Sequence, residues 1–164
     1  MEDAGAAALN RQLGILHAEL KEAAEVLEER FKAAGVAVEF DLAADDSRVG
    51  IDSPKFSRVV QNLLENALRY ATGATRVRIT TKNTGTGIEL RVEDDGPGIP
   101  QGEYEKVFER FYRAEKSRSV AGGGSGLGLS IVKHIILAHG GEVSAGPALP
   151  RGFAVTIVLP ADAA

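Results

Sequence analysis

An α+β fold, one sheet covered on one face by helices, is the class this sequence predicts. Residues 76–82 (RVRITTK) and 87–93 (GIELRVE) each alternate with period two around a turn at Asn83-Thr84-Gly85-Thr86, which reads as a β-hairpin. Elsewhere apolar residues recur at helical spacing, as in Phe56, Val59, Val60, Leu63, Leu64, Ala67 and Leu68. Helices and strand pairs arrive in blocks, with strong hairpin signals.

Leu9, Leu13, Leu16, Leu20, Ala23 and Leu27 recur at intervals of four and three, the seam of a heptad, in a stretch rich in Ala, Glu and Leu. The spacing predicts a helix stopped by Gly35 as its C′ residue. It is either an amphipathic helix lying on its own domain or, in its first half, the continuation of a coiled-coil element from upstream. Residues 36–40 (VAVEF) alternate and read as a strand, and residues 41–48 as a loop. Asp52-Ser53-Pro54 offers an N-cap followed by proline at the first helical position, opening a helix over about 54–70. After DDGPGIP comes a poorly periodic stretch, 101–125. A helix over about 127–138 is closed by Gly140-Gly141, and strands follow over 142–145 and 152–159.

With 164 residues, 44% of them hydrophobic and 26% charged, the chain reads as one ordinary globular domain. It shows no internal repeat, no domain linker, no tract of about 18 apolar residues that could span a bilayer, and no basic, apolar leader. Cysteine is absent, which excludes disulfides, thiolate catalysis and zinc-thiolate sites and suits a reducing cytoplasm. The net charge of −4 is uneven: residues 1–46 carry eleven acidic and four basic side chains, the remainder twelve acidic and fifteen basic. That mild excess of positive charge is too small for a nucleic-acid surface but compatible with a small polyanion such as a nucleotide.

Four constellations carry the chemistry. Asn62, Asn66, Arg69 and Tyr70 share one helix face, separate from the apolar side. Asparagine is a poor helix former, so the pair is either incidental on a solvated face or a source of neutral amide oxygens for a hard cation such as Mg²⁺. Asp94-Asp95-Gly96-Pro97-Gly98 follows a strand directly. It is either a tight turn or a carboxylate placed to accept from a base amino group, with glycines letting a planar ligand approach. Phe108-Glu109-Arg110-Phe111-Tyr112-Arg113 concentrates aromatic residues in a chain with only 5% of them. It supplies a hydrophobic anchor, and Arg110 and Arg113 add cationic reach toward phosphate. Residues 122–128 hold five glycines directly before a helix. They are either a loose connector with helix-packing glycines or a phosphate cradle of exposed N–H groups at a helix N-terminus. His17, His134 and His139 form no cluster by spacing.

In this order the four elements resemble the catalytic, ATP-binding domain of bacterial sensor histidine kinases, within the wider gyrase, chaperone and mismatch-repair ATPase superfamily. NLLENALRYA (62–71) is similar to the family's N box, VEDDGPGIP (92–100) to its first glycine box, VFERFYR (107–113) to its F box and GGSGLGLSIV (123–132) to its second glycine box. The resemblance implies a two-layer α/β sandwich of the Bergerat type, a mixed, mostly antiparallel sheet of about five strands covered on one face by about three helices. It divides the chain into residues 15–164, the catalytic domain, and 1–14, a linker or remnant of the dimerisation helix.

The same resemblance implies residue roles. Asn66 would hold Mg²⁺, with Asn62 beside the triphosphate, Arg69 directed at phosphate and Tyr70 packed on the nucleotide. Asp94 would recognise the adenine amino group in a pocket shaped by Gly96, Gly98 and Ile99. Phe108 and Phe111 of the F box would contribute to nucleotide binding, and Arg113, with Asn62 and Arg69, to catalysis. Gly124, Ser125, Gly126, Leu127, Gly128 and Leu129 would cover the phosphates, with 101–125 corresponding to the ATP lid. The implied partners are a dimerisation domain bearing the phosphoacceptor histidine and a downstream response regulator. Neither nucleic acid nor membrane contact is expected of this segment, although the parent kinase is expected to be membrane-anchored with this portion in the cytoplasm.

Asn62 bears on reaction type. Hydrolysing relatives usually place a water-activating glutamate there, and an amide has no basic lone pair at neutral pH, so water attack should be slow. Such a site suits a nucleophile delivered by a partner, a histidine imidazole. Glu65 points about 100° away from Asn66 around the helix and is not assigned as base. His17 does not fit the phosphoacceptor pattern, and Phe153 and Ala154 stand where relatives often carry Ser or Thr. The competing readings are a nucleotide-gated interaction module and an ATPase of the same superfamily.

Overall fold

The computed structural model describes residues 9–70, 73–100, 102–109 and 128–161. Strand β1 (Arg11–Leu13) leads into helices α1 (Leu16–Val26) and α2 (Glu28–Ala34), then strand β2 (Ala37–Leu42). A 3₁₀ turn (Asp46–Arg48) and strand β3 (Gly50–Asp52) precede the long helix α3 (Ser53–Tyr70). The hairpin β4 (Arg76–Asn83) and β5 (Gly87–Asp94) follows, then a second 3₁₀ turn (Tyr104–Phe108), helix α4 (Gly128–Ala138) and strands β6 (Glu142–Pro147) and β7 (Phe153–Pro160). The main sheet has the order β2-β4-β5-β7-β6, with β2 and β4 parallel and the other pairs antiparallel. The result is the α+β class expected.

Alternation sets which side of the sheet is buried. Val77 and Ile79 on β4, Ile88 and Leu90 on β5, and Ile157 and Leu159 on β7 are almost fully buried and meet the helices. From the helices come Leu16 and Leu20 on α1, Phe56, Val60 and Leu64 on α3, and Val132 and Ile136 on α4. Each such side chain contributes roughly 1.5–3 kcal/mol on burial. Helix α3 starts where its cap predicts, one residue earlier than Pro54: Asp52 Oδ1 accepts the Lys55 N–H at 3.2 Å. Gly35 ends α2 in the left-handed conformation at φ 74°.

The heptad reading needs correction at its start. Residues 11–13 form a strand paired antiparallel with β3, so Leu13 is not helical and is exposed. Gly14, at φ 75°, turns the chain while its N–H reaches the Asp46 carbonyl at 3.1 Å, and the helix begins only at Leu16. A second break at Leu27 divides the expected helix into α1 and α2.

A polar junction joins the start of α3 to the end of α4. Asp52 Oδ2 accepts the Asn10 N–H at 2.9 Å, and the Asp52 N–H donates to His139 Nε2 at 3.0 Å. His139 is 3% exposed, and its Nδ1 bonds the Ile135 carbonyl at 2.8 Å, so the ring is neutral with its proton on Nδ1. Burial lowers its pKa below the ordinary 6.5, against the raising effect of that carbonyl. The unfolded chain therefore takes up the proton more readily, and stability present above about pH 6.5 is lost as pH falls below it. Against a His139→Gln variant, the wild type's advantage in thermal midpoint is expected to narrow between about pH 7 and pH 5. A gap that stays constant would refute this.

Candidate nucleotide-binding site

Strand β5 ends at Asp94 and Asp95 follows directly, and their surroundings give the two carboxylates different work. Asp95 is tied down: its carboxylate accepts the Thr75 N–H at 2.7 Å, the Arg76 N–H at 3.1 Å and the Thr75 hydroxyl. Partial burial would raise its pKa, but these bonds outweigh it and hold the carboxyl below its usual value. Asp95 is thus a staple between β5 and the segment entering β4.

Asp94 is 7% exposed and faces the helix layer. Its Oδ1 accepts the N–H groups of Gly96 at 2.9 Å and Phe153 at 3.3 Å. Burial pushes its pKa up, more than these two bonds pull it down. Beside it opens a small cleft, lined by Leu63, Asn66 and Ala67 of α3, by Val92, Glu93 and Asp94 of β5, and by Phe153 and Val155 of β7. Among the described residues the Asp94 bonds fall on Oδ1, so Oδ2 remains as an acceptor beside an otherwise largely apolar cleft.

The turn after β5 is held by side-chain and backbone contacts from the β6–β7 turn. Arg151 Nε donates to the Gly96 carbonyl at 2.9 Å. Gly98 adopts φ 75°, and a Cβ there would lie 3.0 Å from the Gly152 carbonyl oxygen. Gly152 itself, at φ 122°, lets the Asp94 carbonyl approach to where a Cβ would stand. Sequence reading missed Arg151 and Gly152 because their partners are far away in the chain; the RGF triplet before an alternating strand was the only signal.

Asn62 and Asn66 stay on one face of α3, half-buried, as the helical spacing requires. Asn66 lines the cleft, and Asn62 Oδ1 lies 3.9 Å from where a Cβ on Gly128 would be, at the first residue of α4. The helix that brings them there is amphipathic, its opposite side locked into the core by Phe56, Val60 and Leu64. Glu65 faces elsewhere and pairs with Arg30 on α2 at 3.3 Å, as its angular offset from Asn66 predicts. Arg69 is half-buried in the last turn of α3.

Of the expected site residues that are described, Asn66 and Asp94 line the small cleft itself. Phe108 and Leu129, each 9% exposed, belong to the hydrophobic core, and Ile99 packs against it. Like Asn62, Arg69, Gly96, Gly98 and Gly128, these three are not part of the lining of that small cleft. The Tyr70 side chain, Phe111, Arg113, Gly124, Ser125, Gly126 and Leu127 lie outside the described residues. Also among the described residues, no three His, Asp or Glu side chains gather as a metal site. Neutral amide oxygens suit a hard cation whose other ligands come from phosphate and water.

Residues 51–163 match the family model of histidine kinase-, DNA gyrase B- and HSP90-like ATPases. The chain belongs to this family. Among curated relatives of this ATPase domain, the signal transduction histidine-protein kinase BaeS of Escherichia coli strain K12 is 36% identical over 162 residues, covering 99% of the chain and 34% of BaeS. The sensor histidine kinase WalK of Bacillus subtilis strain 168 is 39% identical over 127 residues, 75% of the chain and 21% of WalK. The chain thus spans about a third or less of the length of these kinases. Among solved structures, the catalytic domain of histidine kinase ThkA superposes with a TM-score of 0.80 at 25% identity, over 93% of this chain and 97% of that one. The mycobacterial sensor histidine kinase MprB gives 0.76 at 34% identity, over 89% and 95%. The ATPase domain therefore corresponds to the catalytic domain of sensor histidine kinases. No helix among its described residues is long and apolar enough to cross a membrane.

Proposed function

We propose that this domain binds Mg²⁺-ATP at the Asp94 cleft and transfers the γ-phosphoryl group to a histidine on a separate dimerisation domain. The observation that carries the reading is Asp94 itself: a buried carboxylate with one oxygen committed to the backbone and the other beside a mostly apolar cleft. Such a site suits a planar base that offers an exocyclic amino group. Asn66 lines the same cleft and supplies an amide oxygen suited to Mg²⁺, which neutralises phosphate charge when bound. Asn62 sits by the start of α4, where the N–H groups and partial positive charge of a helix N-terminus favour phosphate.

Chemistry at the γ-phosphorus then needs a nucleophile from outside. Asn62 cannot take a proton from water at neutral pH, and Glu65 is turned toward Arg30. An imidazole nitrogen of the partner attacks phosphorus, and the bond to ADP breaks. The solved complex of the kinase ThkA with response regulator TrrA supports a response regulator as the next partner. By the same likeness to sensor kinases, the domain works in the cytoplasm.

Calorimetric titration with ATP, with and without Mg²⁺, tests this reading. Affinity is expected to rise with Mg²⁺ in the wild type, and Asn66→Ala is expected to remove that gain, about tenfold or more. Magnesium dependence that survives in the variant would remove Asn66 from the role.

A further inference from the structure

Phe153 joins the cleft to a neighbouring aromatic ring. Its N–H donates to Asp94 Oδ1 at 3.3 Å, it lines the cleft, and its ring lies almost parallel to that of Tyr104, with centroids 6.3 Å apart and planes at 14°. Phe153, Val155, Ile157 and Leu159 alternate toward the helix layer, so the ring stands on the cleft side of the sheet. The backbone bond to Asp94 fixes where the side chain starts but not how its ring is turned, because the last torsion of phenylalanine is broad. Tyr104 supplies that missing constraint. It begins a 3₁₀ turn that packs on α4 and β6, and it is itself half-buried against the core.

We infer that Tyr104 is a positioning residue for base recognition, holding the Phe153 ring as a flat wall against which a purine edge-bonded to Asp94 is seated. This rests on the nucleotide reading proposed above. Parallel aromatic contact favours a planar ligand over an aliphatic one of equal bulk and is indifferent to the phosphates. The effect of losing Tyr104 must therefore follow the base alone.

The test measures Mg²⁺-ATP, adenosine and Mg²⁺-tripolyphosphate affinities, the last two by competition, for the wild type and for Tyr104→Phe, Tyr104→Leu and Tyr104→Ala. The leucine and alanine variants are expected to weaken ATP and adenosine by about three- to tenfold. Tripolyphosphate should be unchanged, and the phenylalanine variant should bind like the wild type. Leucine retains apolar bulk and guards against loss of folding. Wild-type ATP affinity in Tyr104→Leu, or equal losses for all three ligands, would overturn the inference while leaving the nucleotide reading standing. Absence of ATP binding by the unaltered protein would overturn both.

Discussion

Asp94→Asn is expected to lower ATP affinity by at least about a hundredfold while leaving the domain no less stable than the wild type. Asparagine keeps an oxygen where Oδ1 accepts from Gly96 and Phe153, so the turn after β5 retains its bonds. The other position changes from an acceptor to an NH₂ donor. Facing the amino group of a base, it both loses a charge-assisted bond and leaves two donors opposed, a cost of about 3 kcal/mol or more. Stability moves the other way. Burial raises the Asp94 pKa above 3.8, so the folded chain disfavours the ionised form and pays for it at neutral pH. This stability deficit grows as pH rises from 3.8 to the raised folded value, and it is absent below 3.8. Removing the charge should therefore leave the thermal midpoint at pH 7 unchanged or raised. Titration calorimetry and thermal unfolding on one preparation measure both, and near-wild-type affinity would dismiss Asp94 as the base-reading group.

Gly152→Ala is expected to be among the most destabilising single substitutions outside the core. A Cβ at Gly152 would stand 1.9 Å from the Asp94 carbonyl oxygen and 2.8 Å from its carbonyl carbon, with φ at 122°. Neither contact is with a side chain that could swing away, so β5 and the β6–β7 turn must separate. The loss should exceed about 3 kcal/mol, read as a large drop in denaturant midpoint. Gly35→Ala is the control: at φ 74° it meets nothing within 4 Å and should cost only about 1–2 kcal/mol. Equal effects at the two positions would show that strain rather than the close approach governs Gly152.

What was legible in the sequence was local. The β4–β5 hairpin and α3 follow from alternation, turn residues and a cap within a few positions of one another, and their observed bounds move by only a residue. The polar face of α3 was equally readable, since Asn62 and Asn66 are one turn apart. By contrast, β1 and β3 pair across about forty residues, and only that pairing overrides the helical spacing of Leu9 and Leu13. The division of labour between Asp94 and Asp95 was hidden for the same reason. It depends on Thr75 and Phe153, neither of which is a neighbour in sequence. Likewise the Tyr104–Phe153 ring pair joins a 3₁₀ turn to a strand far down the chain, and nothing in either local pattern names the other.

The junction at His139 also has a mechanical meaning. It fastens the end of α4 to the start of α3, while the opposite end of α4, Gly128, lies near Asn62. Taken as a fulcrum, that junction turns an angular change into a displacement that grows with distance along α4. Helix α4 has 11 residues and so is about 16 Å long; a tilt of about 4° at His139 would carry Gly128 by about 1 Å. Small angular changes at the fulcrum thus become atomic displacements beside Asn62, on the scale that decides whether a backbone N–H reaches an oxygen.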